Sequence, residues 1–510
     1  MKFIKNGSTI KSMMNLSKSK ILAFRQCPKR LWLEVKKPEL LKISAATSAK
    51  FNVGFKVGAI AQSLYDPENK GTLIDIKKEG FSQALARSQS LVDSDAPIFE
   101  AGFSANGVLA FADVMLPVEI DGKRLWDMVE VKSSASVKGY HRDDIAIQSY
   151  VAQLSGFKLN SVSIAHIDSN WVYPGDEQYN GLLKANDLTT QALSRSDEVK
   201  LWVEQAQQVL AGDEPDIDVG DQCSKPFECG FYAHCTRDQV KPEYPLSWLP
   251  RLSSKKMKAL TVQGINDLRD VPNGMLNKTQ LRVKKHTLSK QTFFDQMSAQ
   301  NALSKFDLPA YFLDFETIML AVPIWKGTRP NQQIPFQFSL HVLNQKNELN
   351  HIEFLDLSGN DPSMSFAETL IASCGKHGPV FVYNAGFENS RIRELAKCFP
   401  VLSDDLLAIT KRVVDLWPIA KNYYYHPSQH GSWSIKKVLP ALVPELNYAN
   451  LQGVQDGGMA MNAFLEAIHS STSTARKSEI EQQLLEYCKL DTYAMVKLWQ
   501  EFSGRKDLAL

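Results

Sequence analysis

At 510 residues the chain exceeds what one ordinary hydrophobic core organises, so two or three domains are expected. Its 44% apolar and 22% charged residues fit a soluble globular protein, and a formal net charge of +2 decides nothing about nucleic acid. No apolar run is long enough to span a bilayer and the first thirty residues lack a continuous apolar stretch, which excludes a membrane-spanning class and predicts a cytoplasmic location.

Residues 14–240 mix short strands (GVLAFADVML, LWDMVEVKSS, SVSIAHID) with helices such as DDIAIQSYVAQLSG, which stops at its glycine. Residues two apart on a strand face the same way, so Glu130 and Lys132 of VEVKSS project together. A carboxylate that holds a divalent metal beside an ammonium that positions water suits phosphodiester hydrolysis. Asp113 supplies a second carboxylate, and the Asp121-Gly122 turn brings one strand back beside the other. Glu100 of IFEAGF is a candidate third acid, the alternative being a plain surface-strand residue.

The cysteines are unevenly placed. Cys27 stands alone upstream, whereas Cys223, Cys229 and Cys235 fall within thirteen residues. Four thiolates select zinc or an iron-sulfur cluster, and the paired CxxC knuckles of a structural zinc site are absent. The expectation is a [4Fe-4S] cluster of structural role, with zinc as the alternative. Cys374, Cys398 and Cys488 sit in apolar text and read as buried small hydrophobes. An odd total of seven with no signal peptide argues against a disulfide framework.

In one order, LSKSKILAFRQCPKRLWLE, Asp113, Glu130-Val131-Lys132, Gln148 and CSKPFECGFYAHC resemble the PD-(D/E)xK nucleases of the RecB-like clade, in particular the iron-sulfur exonucleases associated with CRISPR adaptation. The resemblance covers most of residues 14–240 and implies a restriction-endonuclease-like fold. It further implies that Asp113 and Glu130 bind metal, that Lys132 is the catalytic lysine, and that Gln148 orients the site or the DNA. Two departures stand out: FNVGFKVGAIAQSLY offers Gly54 and Gly58 but no metal-binding His, and Tyr150 follows Gln148 by two residues where relatives have Gln-x-x-x-Tyr.

KPEYPLSWLP reads as an extended linker. Residues 245–305 then form a polar, helical segment, and between 251 and 290 ten basic residues stand against two acidic ones. LPRLSSKKMKALTVQGINDLRDVP is similar to the second half of a helix-hairpin-helix element, which offers backbone N–H groups to a phosphate. Lys255, Lys256, Lys258, Arg282, Lys284 and Lys285 are the candidate contacts to a DNA backbone, with a plain helical linker as the alternative. The chain has no GxxxxGK[ST] and hence no recognisable ATP motor.

From about 308 onward strands and helices alternate again. In AYFLDFETI, Asp314 and Glu316 share a strand face with Phe312, and two acids in an otherwise apolar stretch are costly unless they bind metal. GPVFVYN is a strand that breaks at NAGFEN into the helix SRIRELAKCF, which puts Asn384 and Glu388 at the strand's carboxyl end. Tyr487 and Asp491 of LLEYCKLDTYAM lie four apart on one helical face. These three segments resemble the DEDD 3′-5′ exonucleases of RNase H-like fold, in the version with Tyr-x-x-x-Asp as third motif. Their second motif normally ends in Asp, so Glu388 and Asp415 of VVDLW are alternatives for the fourth acid.

The whole chain resembles a bacterial family joining the two nuclease types. The expectation is an α/β protein, PD-(D/E)xK-like then helical linker then RNase H-like (308–505). It predicts two Mg2+- or Mn2+-dependent sites that degrade DNA in repair or in defence against foreign DNA. The alternatives are an RNA exonuclease, or a nucleic-acid-binding scaffold with one or both sites inactive that recruits a helicase or defence partner.

Overall fold

The computed structural model describes residues 15–42 and 45–505, except for the side chains of 45–52. The first fourteen residues, where a signal sequence would begin, lie outside it. The fold is mixed α/β with two mixed sheets, and among the described residues no helix is long and apolar enough to cross a membrane. Two compact units emerge: residues up to Gln239 together with Leu320–Asn331, and Val240–Met319 together with Gln332 onward.

The first unit is built on strands β1 (Leu16–Ser17), β2 (Thr72–Leu73), β3 (Ile98–Ala105), β4 (Val108–Ile120), β5 (Lys123–Lys132), β6 (Leu159–Ile167) and β7 (Leu183–Asp187). Their order is β2-β3-β4-β5-β6-β7, with β1 added alongside β4. The β4–β5 hairpin closes as read from the sequence: Asp121 (φ 51°) and Gly122 (φ 69°) both sit in the left-handed region that a two-residue hairpin turn demands, and Ile120 pairs with Lys123. Helix α1 (Lys18–Gln26) follows β1, and α2 (Gly139–Leu154) packs its apolar side on the sheet through Ile145, Ile147 and Val151. Segment Leu320–Asn331, expected within the rear domain, belongs to this unit instead. There Val322 packs on Val57, Ile167 and Leu182, and the Tyr173 N–H donates to the Thr328 carbonyl at 2.9 Å.

The second unit opens with the basic segment. KPEYPLSWLP is not a free extended linker: Leu246 and Leu249 pack with Leu260, Leu268, Val271 and Leu276 into a small core. Helices α3 (Ser254–Val262) and α4 (Lys278–Ser289) flank that core. Gly264 (φ 77°) ends the turn after α3, but the chain continues into a 3-10 turn at Leu268–Asp270, so the second helix that a helix-hairpin-helix needs is missing at that point. The main sheet runs β10 (Leu349–Leu355), β9 (Gln333–Leu343), β8 (Ala310–Met319), β11 (Val380–Val382), β12 (Val413–Asp415). β8 is antiparallel to β9 and parallel to β11. Tyr311, Leu313 and Phe315 enter one apolar layer and Phe312 the other, so the strand alternates as its sequence requires. Over the Phe312 face lies the 30-residue helix α9 (Thr474–Ser503); α5 (Gly386–Cys398), α6 (Leu416–Tyr423), α7 (Ile435–Leu442) and α8 (Gly457–Ile468) complete the surroundings of the site.

Candidate functional site

Around the β4–β5 level of the first unit the backbone ladder is interrupted. Pairing of β3 with β4 passes over Glu100 and Asp113, and β4–β5 pairing begins only at Val114–Val129. Glu100 holds φ at 55°, a left-handed conformation in mid-strand that a non-glycine residue rarely takes. Into the opening project Asp113, Glu130 and Lys132. The Lys132 Nζ lies 2.6 Å from both Glu130 Oε1 and Asp144 Oδ2. Gln148, one turn beyond Asp144 on α2, donates to Glu130 Oε2 at 2.7 Å and to Asp144 at 3.2 Å, while its own Oε1 is buried without a partner. Lys18, at the start of α1, completes the group at 3.0 Å from Glu130 and 2.9 Å from Asp144.

Charge balance sets the protonation here. Burial opposes ionisation of Lys18 and Lys132, yet Asp144 and Glu130 outweigh it and hold both ammonium groups above the usual lysine range. Asp144 is likewise held below the carboxylate range, burial being overcome by Lys132 and Lys18. Asp113, by contrast, is pushed well up by burial and by Glu130, and burial followed by Glu130 raises Glu100. Tyr150, the misplaced tyrosine of the helix motif, lies in the core and not in this group.

The four clustered cysteines come together as the order of the chain suggested. Cys27, just after α1 and before a second helix at Pro28–Lys36, lines one small cavity with Cys223, Cys229 and Cys235, and Lys29 and Arg30 line it too. Burial raises the Cys229 and Cys235 thiols, and the neighbouring thiols add to it. No three of the sulfurs come within 4.8 Å of one another, the limit that groups the acids of the second unit. Four ligands about 2.3 Å from one tetrahedral zinc would lie about 3.8 Å apart. Cys374 and Cys488 are buried as expected, whereas Cys398 is exposed. It falls off the Arg391, Ile392, Leu395, Ala396 stripe by which α5 packs.

In the second unit, Asp314 and Glu316 on β8 meet Asp491 on α9: one carboxylate oxygen from each lies within 4.8 Å of the others. Among the described residues no other three potential ligands gather so closely. Tyr487 sits one turn before Asp491, and Tyr448 donates to Asp491 Oδ1 at 2.6 Å. Glu388 is 2% exposed, with an Oε2 that has no partner. It lies in the first turn of α5, which begins at Gly386, ahead of the Ser390 start that the sequence suggested. Burial first, then the neighbouring acids, keep these carboxyls protonated: Asp314 is pushed well up, with Asp491 the largest neighbour, Glu316 to about 8, and Glu388 to about 8. Burial also takes Asp491 up to about 6, and burial with Asp491 raises the Tyr487 hydroxyl. Among the described residues the cation acting on Glu316 and Asp491 is Lys436 of α7, whose Nζ lies over the Tyr448 and Tyr487 rings and donates to the Gln455 carbonyl at 2.7 Å.

Asp415 has another task. Its carboxylate accepts from the Asn384, Ala385 and Trp417 N–H groups at 3.0, 3.1 and 2.9 Å, capping α6 and pinning the turn before α5. Glu388 adds to the raising of Asp314, and Asp415 to that of Glu388.

Of the basic candidates, Lys255, Lys258 and Lys285 are exposed. The other three are occupied inside the unit: Lys256 donates to the Met275 carbonyl, Lys284 to the Val271 carbonyl at 2.5 Å, and Arg282 to the carbonyls of Lys421 and Asn422. These three tie backbone turns together, which explains part of the segment's positive charge without a ligand.

Sequence reasoning missed Lys18, Asp144, Lys436 and Tyr448. Asp144 was within reach, standing four residues before Gln148 on the same helical face. A family model described as a domain of unknown function (DUF2779) matches residues 311–434, from β8 to the start of α7. That stretch holds Asp314, Glu316, Glu388 and Asp415 but not Tyr487 or Asp491. A comparison with curated proteins gives no match.

Proposed function

We propose that the chain is a metal-dependent nuclease, with an RNase H-like exonuclease site in the second unit and a PD-(D/E)xK-type site in the first. The observation that carries the reading is the buried convergence of Asp314, Glu316 and Asp491, with a buried, unpartnered Glu388 oxygen whose charge bears on Asp314. Burying carboxyls together costs free energy that a bound cation offsets. Oxygens opposite each other about an octahedral Mg2+ are about 4.2 Å apart, so the 4.8 Å grouping fits ligands of a common ion. Asp314, Glu316, Glu388 and Asp491 would hold one or two such ions, which when bound supply Lewis-acid polarisation of a phosphodiester and a water of lowered pKa.

The remaining groups bind and orient. Tyr448 and Tyr487 both hydrogen-bond Asp491 and hold its carboxylate, and Tyr487, its hydroxyl kept protonated, could donate instead to the attacking water or to a phosphate oxygen. Lys436 places a positive charge beside the acids, where a phosphate anion would dock. In the first unit, Lys132 is placed to position water next to Glu130, with Gln148 holding the carboxylate. The four cysteines that line one cavity would hold a [4Fe-4S] cluster, with one zinc ion as the alternative. The substrate class is DNA, in repair or defence, with RNA as the alternative.

A second reading draws on Lys18. Two ammonium groups already neutralise Glu130 and Asp144, which favours a first unit that binds nucleic acid without cutting it. End-labelled single- and double-stranded DNA and matched RNA, incubated with Mg2+ or Mn2+, test both. A 3′-end-directed degradation that disappears in Asp314→Ala with Asp491→Ala, while Lys132-dependent cleavage persists, is expected. Binding without degradation under either ion would overturn the nuclease reading.

A further inference from the structure

A groove of about 730 Å³ lies in the second unit, between the basic segment, α6 and the loop that leads into α7. Its walls are unlike those of the acid cluster. Arg251, Lys278 and Lys421 contribute three cations, and Trp417 presents an aromatic face between them. The Lys421 Nζ is 4.6 Å, and the Arg251 guanidinium 5.9 Å, from the centre of that ring. No ion pair to a carboxylate is found for any of the three cations among the described residues, in a chain where Arg195, Arg269 and Arg476 each have one. Burial lowers Lys421, and Arg251 and Arg282 then add like-charge crowding.

The groove is also built, in that a close backbone approach shapes it. Gly431 holds φ at 74°, and a Cβ there would stand 1.7 Å from the Trp248 carbonyl oxygen; no other residue lets the two segments meet. That approach stacks Trp248 on His430 with ring centroids 3.9 Å apart, beside the groove floor. The groove and the acid site share α7: Ser434 lines the groove just ahead of that helix, and Lys436 in its first turn acts on Glu316 and Asp491. Trp417 follows Asp415, which pins the turn leading to Glu388.

Unpaired cations around an aromatic face match a polyanion whose monomers carry π-surfaces: phosphates meet Arg and Lys while a base stacks on Trp. A base paired in a duplex has both faces covered by its neighbours, whereas an unpaired strand can offer one. Resting on the exonuclease reading of the acid cluster, we infer that this groove is a strand-guiding subsite that takes the single-stranded segment of a polynucleotide behind its scissile end, with Trp417 stacking a base and Arg251, Lys278 and Lys421 binding its phosphates.

The test uses the full chain in EDTA, so that binding is read without cleavage. Fluorescein-labelled (dT)15 and (rU)15 are titrated by anisotropy against a blunt DNA hairpin, and bromodeoxyuridine-substituted strand is photocrosslinked and mapped by peptide. Trp417→Ala should weaken single-strand binding at least fivefold, Trp417→Phe should restore most of it, and Arg251→Ala with Lys421→Ala should weaken it at least tenfold. The latter should also flatten the salt dependence by about 1.4 in log–log slope, about 0.7 for each phosphate no longer neutralised. Hairpin binding should change less than twofold, as should single-strand binding in the exposed-turn control Lys346→Ala. Crosslinks should map to the peptide 413–421. Single-strand affinities within twofold of the parent, equal losses on the hairpin, or crosslinks confined to other peptides overturn the proposal. If digestion with Mg2+ or Mn2+ proceeds while these changes leave binding untouched, the groove is wrong and the exonuclease reading stands; if binding falls as stated while nothing is digested, the reverse holds.

Discussion

Glu316 and Glu388 carry carboxyls raised to about 8 in a site where an unfolded chain would show ordinary values. Below about pH 4 both folded and unfolded chains hold these protons. Between there and about 8 the unfolded chain releases them and the metal-free fold does not, so stability falls as pH rises through that window. Metal-free protein should therefore lose on the order of 1–3 kcal/mol between pH 5 and 8 from this site. Glu388→Gln should flatten the dependence, and the stabilisation given by Mn2+ should grow with pH because binding displaces protons. Urea melts at several pH values, with EDTA or Mn2+, measure it; a slope unchanged by Glu388→Gln would count against the assignment. Lys18 gives the opposite sign. Asp144 is held low by Lys132 and Lys18, so its contribution is present above its unfolded value and lost on acidification. Lys18→Met should cost about 1–3 kcal/mol at pH 7 and less as pH falls below about 4, read from the same melts.

At the scale of elements, Asp415 and Glu388 separate cleanly. Asp415→Ala removes three hydrogen bonds to backbone N–H groups and should destabilise the second unit by about 1–3 kcal/mol while Mn2+ binding survives. Glu388→Ala should weaken Mn2+ binding at least tenfold with a smaller loss of stability; calorimetric titration distinguishes the two, and the reverse pattern would make Asp415 the ligand. The same pair marks how much a sequence can say. Strand alternation placed Asp314 and Glu316 on one face, and helical spacing did the same for Tyr487 and Asp491, because those are local periodicities. Tyr448 arrives from a short 3-10 turn and Lys436 from the first turn of a helix distant in sequence, so only tertiary packing brings them to Asp491. Lys18 escaped for a related reason: its partners are more than a hundred residues away. In the basic segment charge alone does not tell a lysine that ties a carbonyl, as Lys256 and Lys284 do, from one that faces solvent, as Lys255 and Lys285 do.

For the whole molecule, the division into two units predicts separable activities. Lys132→Ala should remove cleavage by the first unit and leave a 3′-end-directed activity that Asp314→Ala with Asp491→Ala abolishes, as read on end-labelled strands. Loss of all products from either change alone, in folded protein, would reduce the chain to one working site. Anaerobically purified protein should be brown, and Cys229→Ser should bleach it and lower the unfolding temperature of the first unit. Colourless protein with one equivalent of zinc would assign the cysteines to zinc. Domain boundaries were less legible than sites. Leu320–Asn331 lies between two strands of one unit in sequence and packs with the other, and no composition shift marks that change of allegiance.

Asp113 accepts a hydrogen bond from the Val131 N–H at 2.6 Å, standing in for the strand carbonyl that the interrupted ladder fails to provide. A cation taken through that same Oδ2 would have to displace the amide, whereas one held by Oδ1 would leave the bond in place, which makes Val131 a backbone reporter of how Asp113 is used. Its exchange with deuterated solvent should quicken on adding Mn2+ or Mg2+ in the first case and stay slow in the second. The bond also means that Asp113→Ala unpins the β4–β5 junction along with removing a carboxylate, so lost cleavage in that variant conflates sheet repair with chemistry. Asp113→Asn, which can still accept from Val131, keeps the two apart.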